Sequence, residues 1–205
     1  MIARVSSHQS ALLILGIQAT CVTLAVGFRG WLQYRRTKDF GFRSPFKRNQ
    51  VFGWLGGVVF LVSSVLAVVA ELARWIAPRT IPMTFVVFGI ILAVCGMSVT
   101  TISQLQMRDS WRIGVDEREV TKLVTSGIFA YVRNPIFSGL LLVSAGILLI
   151  LPSVFSALAL VSAVLLVEYQ VRYNEEPYLK RVHGHAYASY GSAVGRFIPR
   201  VGCFR

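Results

Sequence analysis

Leu123-Val124-Thr125-Ser126-Gly127-Ile128-Phe129-Ala130-Tyr131-Val132 leads into Arg133-Asn134-Pro135-Ile136-Phe137. An apolar helical hairpin follows and ends in Tyr173-Asn174-Glu175-Glu176-Pro177-Tyr178-Leu179. Two charged clusters are therefore joined by a segment that crosses a bilayer and returns, which puts both on one membrane face. Asn134 suits an N-cap and Pro135 the first helical position, so a helix is predicted to begin there. Its amino end, beside Arg133, is a natural place for a carboxylate or another anion. From Pro135 to Leu151 the helix is about 25 Å long, enough for a short span. Pro152-Ser153 turns the chain, and Ser153 can cap the return helix. That helix runs from Val154 to about Glu176, roughly 35 Å, so its last turns enter the headgroup layer. On it Glu168, Arg172, Glu175, Glu176 and Leu179 recur at helical spacing and predict one continuous ionisable face. Ionisable groups on a membrane helix read as a functional site.

Composition agrees. The 205 residues are 55% hydrophobic and 15% charged, with a positive mean hydropathy. That excludes an ordinary soluble domain and predicts an all-α, polytopic membrane protein. Five transmembrane helices are expected: Ala11–Phe28, Val51–Ala70, Met83–Ser103, Pro135–Leu151 and Val154–Tyr169. No alternation of ten-residue strands suggests a barrel, so helices must satisfy the backbone. The first span lacks a basic leader beyond Arg4 and a small-x-small cleavage site, and is kept as a helix rather than a signal peptide. Eighteen Lys and Arg fall in the first and third connections and the tail, against Arg4, Arg74 and Arg79 on the other side. The positive-inside rule then puts the N-terminus outside and the site and C-terminus in the cytoplasm. Anionic headgroups account for the net charge of +12 without a nucleic-acid partner.

Elsewhere the signals are structural. Gln18, Thr20 and Thr23 join helices, and Gly53, Gly56 and Gly57 permit close approach. Arg29–Gln50, basic with Trp31, Tyr34, Phe40, Phe42 and Phe46 interleaved, is expected to lie on the headgroups. Glu71 and Arg74 form a local external ion pair worth little. Asp116, Glu117 and Glu119 are solvated loop charges. The third span is expected to emerge as a helix through Ser103–Arg112. Lys180–Tyr190 forms an amphipathic interfacial helix, giving a helical cytosolic segment at the C-terminal end, and Gly191, Gly195 and Pro199 end the order. Cys21, Cys95 and Cys203 lack ligand spacing, and His183 and His185 do not share a helix face, so no metal is expected.

The ordered set Gly127-x-x-x-Tyr131-x-Arg133-x-Pro135, hairpin, Glu175-Glu176-x-x-Leu179, Gly184-x-x-Tyr187-x-x-Tyr190 and Val194-x-Arg196-x-x-Pro199 resembles the integral-membrane methyltransferases. That group includes isoprenylcysteine carboxyl methyltransferase and the phospholipid N-methyltransferases. Ser110-Trp111-Arg112 fits it too. The resemblance covers roughly Trp111 to Pro199 and implies a cofactor-binding methyltransferase core in 111–199; with N-terminal helices and basic loop in 1–110, one integral-membrane domain over 1–205 is expected. The resemblance also implies S-adenosylmethionine as cofactor. Glu175 and Glu176, which repel each other unless a cation shares them, would hold the ligand's ammonium. The Leu123, Val124, Thr125 and Gly127 backbone and the Asn134 amide would hold adenosine or carboxylate beside Pro135, with Tyr131, Phe137 and Tyr187 as aromatic walls. Arg133 and Glu176 are the catalytic candidates, Arg133 steering an anionic acceptor.

The chain departs from the family at Asn134, usually His, and Phe137, usually Tyr. Asn cannot titrate near neutral pH, which favours an already ionised carboxylate acceptor over an amine that needs a base. The expected activity is methyl transfer to a lipidic or prenylated acceptor, most like isoprenylcysteine carboxyl O-methylation. Alternatives are phospholipid N-methylation, a nicotinamide-dependent membrane reductase, and a non-catalytic lipid-binding protein.

Overall fold

The first helix does not stop at Phe28. In the computed structural model, which describes residues 3–40, 51–110 and 122–204 (51–57 and 109 in backbone only), α1 (Ser7–Val22) runs through a π turn at Thr23–Phe28 into α2 (Arg29–Thr37). Ser6 and Gln9 start it with a reciprocal capping box. It continues past Phe28 because Arg29, expected on the headgroups, is buried. Its Nε donates to the Gln104 carbonyl at 3.1 Å and its Nη2 to that of Arg108. Those are terminal carbonyls of the third long helix, short of intrahelical donors and partly negative. Gln104 in turn donates to the Ala25 carbonyl inside the π turn at 3.1 Å. Trp31, Tyr34 and Phe40 do face outward, with Arg35 over the Trp31 ring at 5.1 Å. The rest of that basic segment, with Phe42 and Phe46, lies outside the described residues.

The architecture is mostly helical but not purely so. β1 (Arg4–Ser6) pairs antiparallel with β2 (Thr80–Pro82), Val5 opposite Ile81, a correction to the all-α expectation. Between them α3 (Val51–Leu72) packs against α1 through Gln18, whose Nε2 donates to Ser64 Oγ at 3.1 Å. Glu71 pairs with Arg79, not with the nearby Arg74, at 2.7 Å. Arg79 also donates to the Pro152 carbonyl at 2.9 Å and so ties the ribbon to the hairpin turn.

From the ribbon, α4 (Met83–Met107) runs back and ends in a short 3-10 turn at Arg108–Ser110. The expected emergence of this helix extends that far; Trp111, Arg112, Asp116, Glu117 and Glu119 lie outside the described residues. α5 (Pro135–Ile150) and α6 (Val154–Tyr169) form the hairpin with nearly the expected bounds, and Ser153 caps α6 by accepting from Ser156 N at 3.1 Å. α4 packs chiefly on α5, and α3 on α6. The core between them holds Ile14, Val68, Val86, Ala93, Val143 and Ile147. Among the described residues, three continuous helical runs are long and apolar enough to cross a bilayer: Ser7–Thr37, Met83–Met107 and Val154–Ala193. Val58–Leu72 and Pro135–Ile150 are apolar and shorter. The chain is thus a multi-pass membrane protein.

Candidate functional site

Past Tyr169 the last helix changes register. A π turn at Gln170–Glu175 leads into α7 (Glu176–Ala193), which kinks at Gly184, where φ is +52°. A π turn inserts an extra residue and rotates whatever follows. The ionisable face expected to be continuous is therefore split. Glu168 and Arg172 pair on an exposed flank, while Glu176 turns inward and is 6% exposed.

Glu176 meets the elbow there. Arg133, whose side chain is 1% exposed, places Nη2 2.9 Å from Glu176 Oε1. The remaining donor contacts of Nη1 and Nη2 go to carbonyls: Gly191 at 2.5 Å, Val194 at 2.9 Å and Gly202 at 3.0 Å. The two clusters joined by the hairpin thus touch, at the same end of the bundle. Nη1 and Nη2 are spent on this contact and the three carbonyls, the guanidinium lies 4.2 Å from the Phe204 ring, and the buried Nε has no partner among the described residues. In this arrangement Arg133 positions the elbow; it does not present itself to an acceptor.

The third member of the cluster is Arg196. Its Nε and Nη2 reach Oε1 and Oε2 of Glu176 at 2.7 and 3.1 Å, a paired geometry that also raises the Arg196 pKa. It sits on an arm running from Val194 to Phe204, where Gly191, Gly195 and Pro199 led us to expect no order. The arm is stitched down: Arg133 N donates to Gly195 O at 2.8 Å, Asn134 N to Arg196 O at 3.1 Å and Phe204 N to Gly191 O at 2.8 Å. A side chain on Gly191 would strike the Phe204 ring. Asn134 takes the N-cap position of α5 but makes no capping bond; its Nδ2 donates instead to Arg196 O at 3.2 Å. The arm was missed because its signal, one arginine spaced for the family pattern, had no partner in sequence.

Among the described residues no guanidinium pairs with Glu175. At about 1.5 Å per residue it lies about 32 Å from the start of α6, in the headgroup layer. Loss of water pushes its carboxyl up to about 7, against a hydrogen bond with Gln170 that lowers it, and the Glu176 charge adds to the rise. A carboxyl in that state lacks a cation. The donor set fits one end of the implied cofactor, its ammonium.

The other candidates are dispersed. Pro135 is buried at the first position of α5 and Phe137 is half-buried two residues on. Tyr131 stands 68% exposed, free to act as a wall. Tyr187, also read as a wall, is 1% exposed and packs on Phe204 at 5.7 Å between ring centres; burial, and then Glu176, push its phenol pKa up. Leu123 and Val124 are half-buried and Thr125 exposed in an irregular approach. Gly127 needs its positive φ of +64° and its missing side chain, since Gln106 fills the place of a Cβ. Gln106 Oε1 accepts from Ile128 N at 2.9 Å, so the end of α4 holds this loop.

The chain is similar to known proteins in sequence and in fold. Protein-S-isoprenylcysteine O-methyltransferase B of Arabidopsis thaliana is 30% identical over 116 residues, 56% of this chain and 59% of that protein. The match thus spans less than two thirds of the relative. A solved structure of a eukaryotic intramembrane Ras methyltransferase, isoprenylcysteine carboxyl methyltransferase, superposes on 96% of this chain and 70% of its own. Its TM-score is 0.59 at 16% identity, a likeness of fold. The family model described as phospholipid methyltransferase matches residues 80–186, from the ribbon through the elbow and the twin glutamates into α7. Because that match takes in just over half of the chain and includes both charged clusters, the chain belongs to the phospholipid methyltransferase family.

Proposed function

We propose that this protein is a membrane-embedded S-adenosylmethionine-dependent methyltransferase acting on the carboxylate of a lipidic, prenylated-cysteine type of acceptor. The observation that carries this is the 2.9 Å contact between Arg133 and Glu176, which joins elbow and hairpin end into one site beside Glu175. Five spans are proposed, with the N-terminus outside and the site in the cytoplasm. When bound, S-adenosylmethionine would supply the methyl group from its sulfonium. Glu175 would hold the ammonium, while Glu176 is already satisfied by its two arginines. The Leu123–Gly127 backbone, Tyr131 and Phe137 are the proposed contacts for the rest of the cofactor, and Arg133 and Arg196 position rather than react. Asn134 offers no base and its amide is committed to Arg196, which suits an acceptor already ionised. Proximity and orientation then carry most of the rate.

Calorimetry with S-adenosylhomocysteine should show one site per chain. Methyl-labelled S-adenosylmethionine should label a farnesylated cysteine analogue. Labelling of phosphatidylethanolamine instead would favour N-methylation, the second activity that the description of the family supports. Cofactor binding without transfer to either acceptor would overturn the enzymatic assignment.

A pH dependence follows from Glu175. Its folded-state pKa is raised, so between its ordinary value and about 7 the folded protein holds a proton that a bound ammonium must expel. Affinity for S-adenosylhomocysteine therefore rises as pH rises through that range, by about tenfold from pH 6 to pH 8. Glu175→Gln should bind weakly and lose the slope. An unchanged slope in that variant would remove Glu175 from the site.

A further inference from the structure

Arg196 stands between two carboxylates. Besides its paired contact with Glu176, its Nη1 lies 4.0 Å from Glu168 Oε2. The Glu176 side chain is 8% exposed and that of Glu168 36%, so the two carboxylates offer a dry and a wet anchor on one reach. Glu168 is otherwise engaged by Arg172 one turn along the helix, and nothing described so far uses this pair. Glu176 keeps Arg133 on its other side when Arg196 leaves. The backbone of Arg196 is fixed, its N donating to Val201 O at 2.8 Å and its carbonyl accepting from Asn134. The long side chain is the part left to move.

We propose that Arg196 is a two-position gate, closed when it pairs with Glu176 and transferred to Glu168 when a ligand carrying an ammonium or similar cation enters beside Glu175 and Glu176. This rests on Glu175, next to Glu176, being the cation site. The physical reason is like-charge repulsion. A ligand cation beside Glu176 meets the guanidinium already there, and the two cannot share the carboxylate at low dielectric without cost. Glu168 has a second oxygen and solvent access, so it accepts Arg196 alongside Arg172 without burying a new charge. The exposed half of the split ionisable face thereby becomes the resting place of the gate.

The test is calorimetry with S-adenosylhomocysteine on the full chain in detergent, for wild type, Arg196→Met, Glu168→Gln and the double variant. Arg196→Met should bind about three- to tenfold more tightly, since a competing charge is gone. Glu168→Gln should bind more weakly by a similar factor, and should have no effect once Arg196 is Met. A fixed strut predicts the reverse order. Weaker binding in Arg196→Met, or a Glu168→Gln effect that persists at full size in the double variant, overturns the gate. Should Arg196→Met not fold, Arg196→Lys, which keeps the charge and loses the paired geometry, must still bind more tightly than wild type for the gate to stand. Binding that follows the wrong order sinks the gate alone. No binding in wild type or in any variant sinks the methyltransferase assignment, and the gate with it.

Discussion

Glu176→Ala will unfold more readily than wild type by about 3–5 kcal/mol, the usual cost of removing one partner from a buried ion pair, and will lose S-adenosylhomocysteine binding. The size of the effect comes from what is left behind. Arg133 is almost wholly buried and Arg196 mostly so. Without the carboxylate, two guanidiniums face each other in a dry cluster. The three carbonyls on Arg133 keep donors on Nη1 and Nη2 occupied but leave its buried Nε without a partner and do not neutralise its charge. The elbow, α7 and the arm then keep only the carbonyl contacts of Arg133 and the backbone bonds to the arm. Glu175→Gln is the contrasting case. Burial holds that carboxyl's pKa up near 7 and no guanidinium among the described residues pairs with it, so the variant should melt within about 0.5 kcal/mol of wild type, like most substitutions that break no buried pair, yet bind the ligand poorly. Thermal or SDS-titrated unfolding in detergent, read beside calorimetry, separates the two. A Glu176→Ala protein with wild-type stability would show that the cluster does not hold the site together.

Gly96→Leu and Gly139→Leu will each weaken or abolish folding, by about 3 kcal/mol or more, because overpacking here meets backbone. A Cβ on Gly96 would stand 2.5 Å from the Gly139 carbonyl, and one on Gly89 2.6 Å from that of Gly146. Backbone oxygens cannot rotate away as a side-chain tip can. The pairs are seven residues apart on both helices, so α4 and α5 touch along two successive levels of one seam. Such close contact lets helices associate where lipid removes the hydrophobic drive. Gly16, on the lipid-facing first helix, has nothing within 4 Å of a built Cβ. Gly16→Ala should be neutral or stabilising by up to about 1 kcal/mol through helix propensity. Unfolding midpoints in one detergent measure all three. A benign Gly96→Leu would mean that the seam opens freely.

Both effects depend on distances between parts far apart in sequence, which marks how much was legible beforehand. The hairpin could be read directly. Pro135 can only start a helix, Pro152-Ser153 can only turn one, and the apolar runs between them have one way to satisfy their backbone in lipid. That the Arg133 elbow and the Glu176 helix end lie together follows from an even number of crossings, and they do touch. The glycine seam was less legible. Gly89, Gly96, Gly139 and Gly146 share the seven-residue spacing of many apolar helices, and only the pairing of α4 with α5 says which glycines meet.

Local sequence thus determined the helices, their caps and turns, and the end of the bundle at which the charged groups gather, because these follow from backbone hydrogen bonding and from the length of a bilayer. Tertiary structure alone decided the partners. The π turn at Gln170–Glu175 rotates Glu176 inward and leaves Glu168 outside. The arm brings Arg196 back across twenty residues to share that carboxylate. Arg29 caps a helix instead of binding headgroups. A charged side chain chooses its partner by distance and desolvation, and neither quantity is written in the order of the residues.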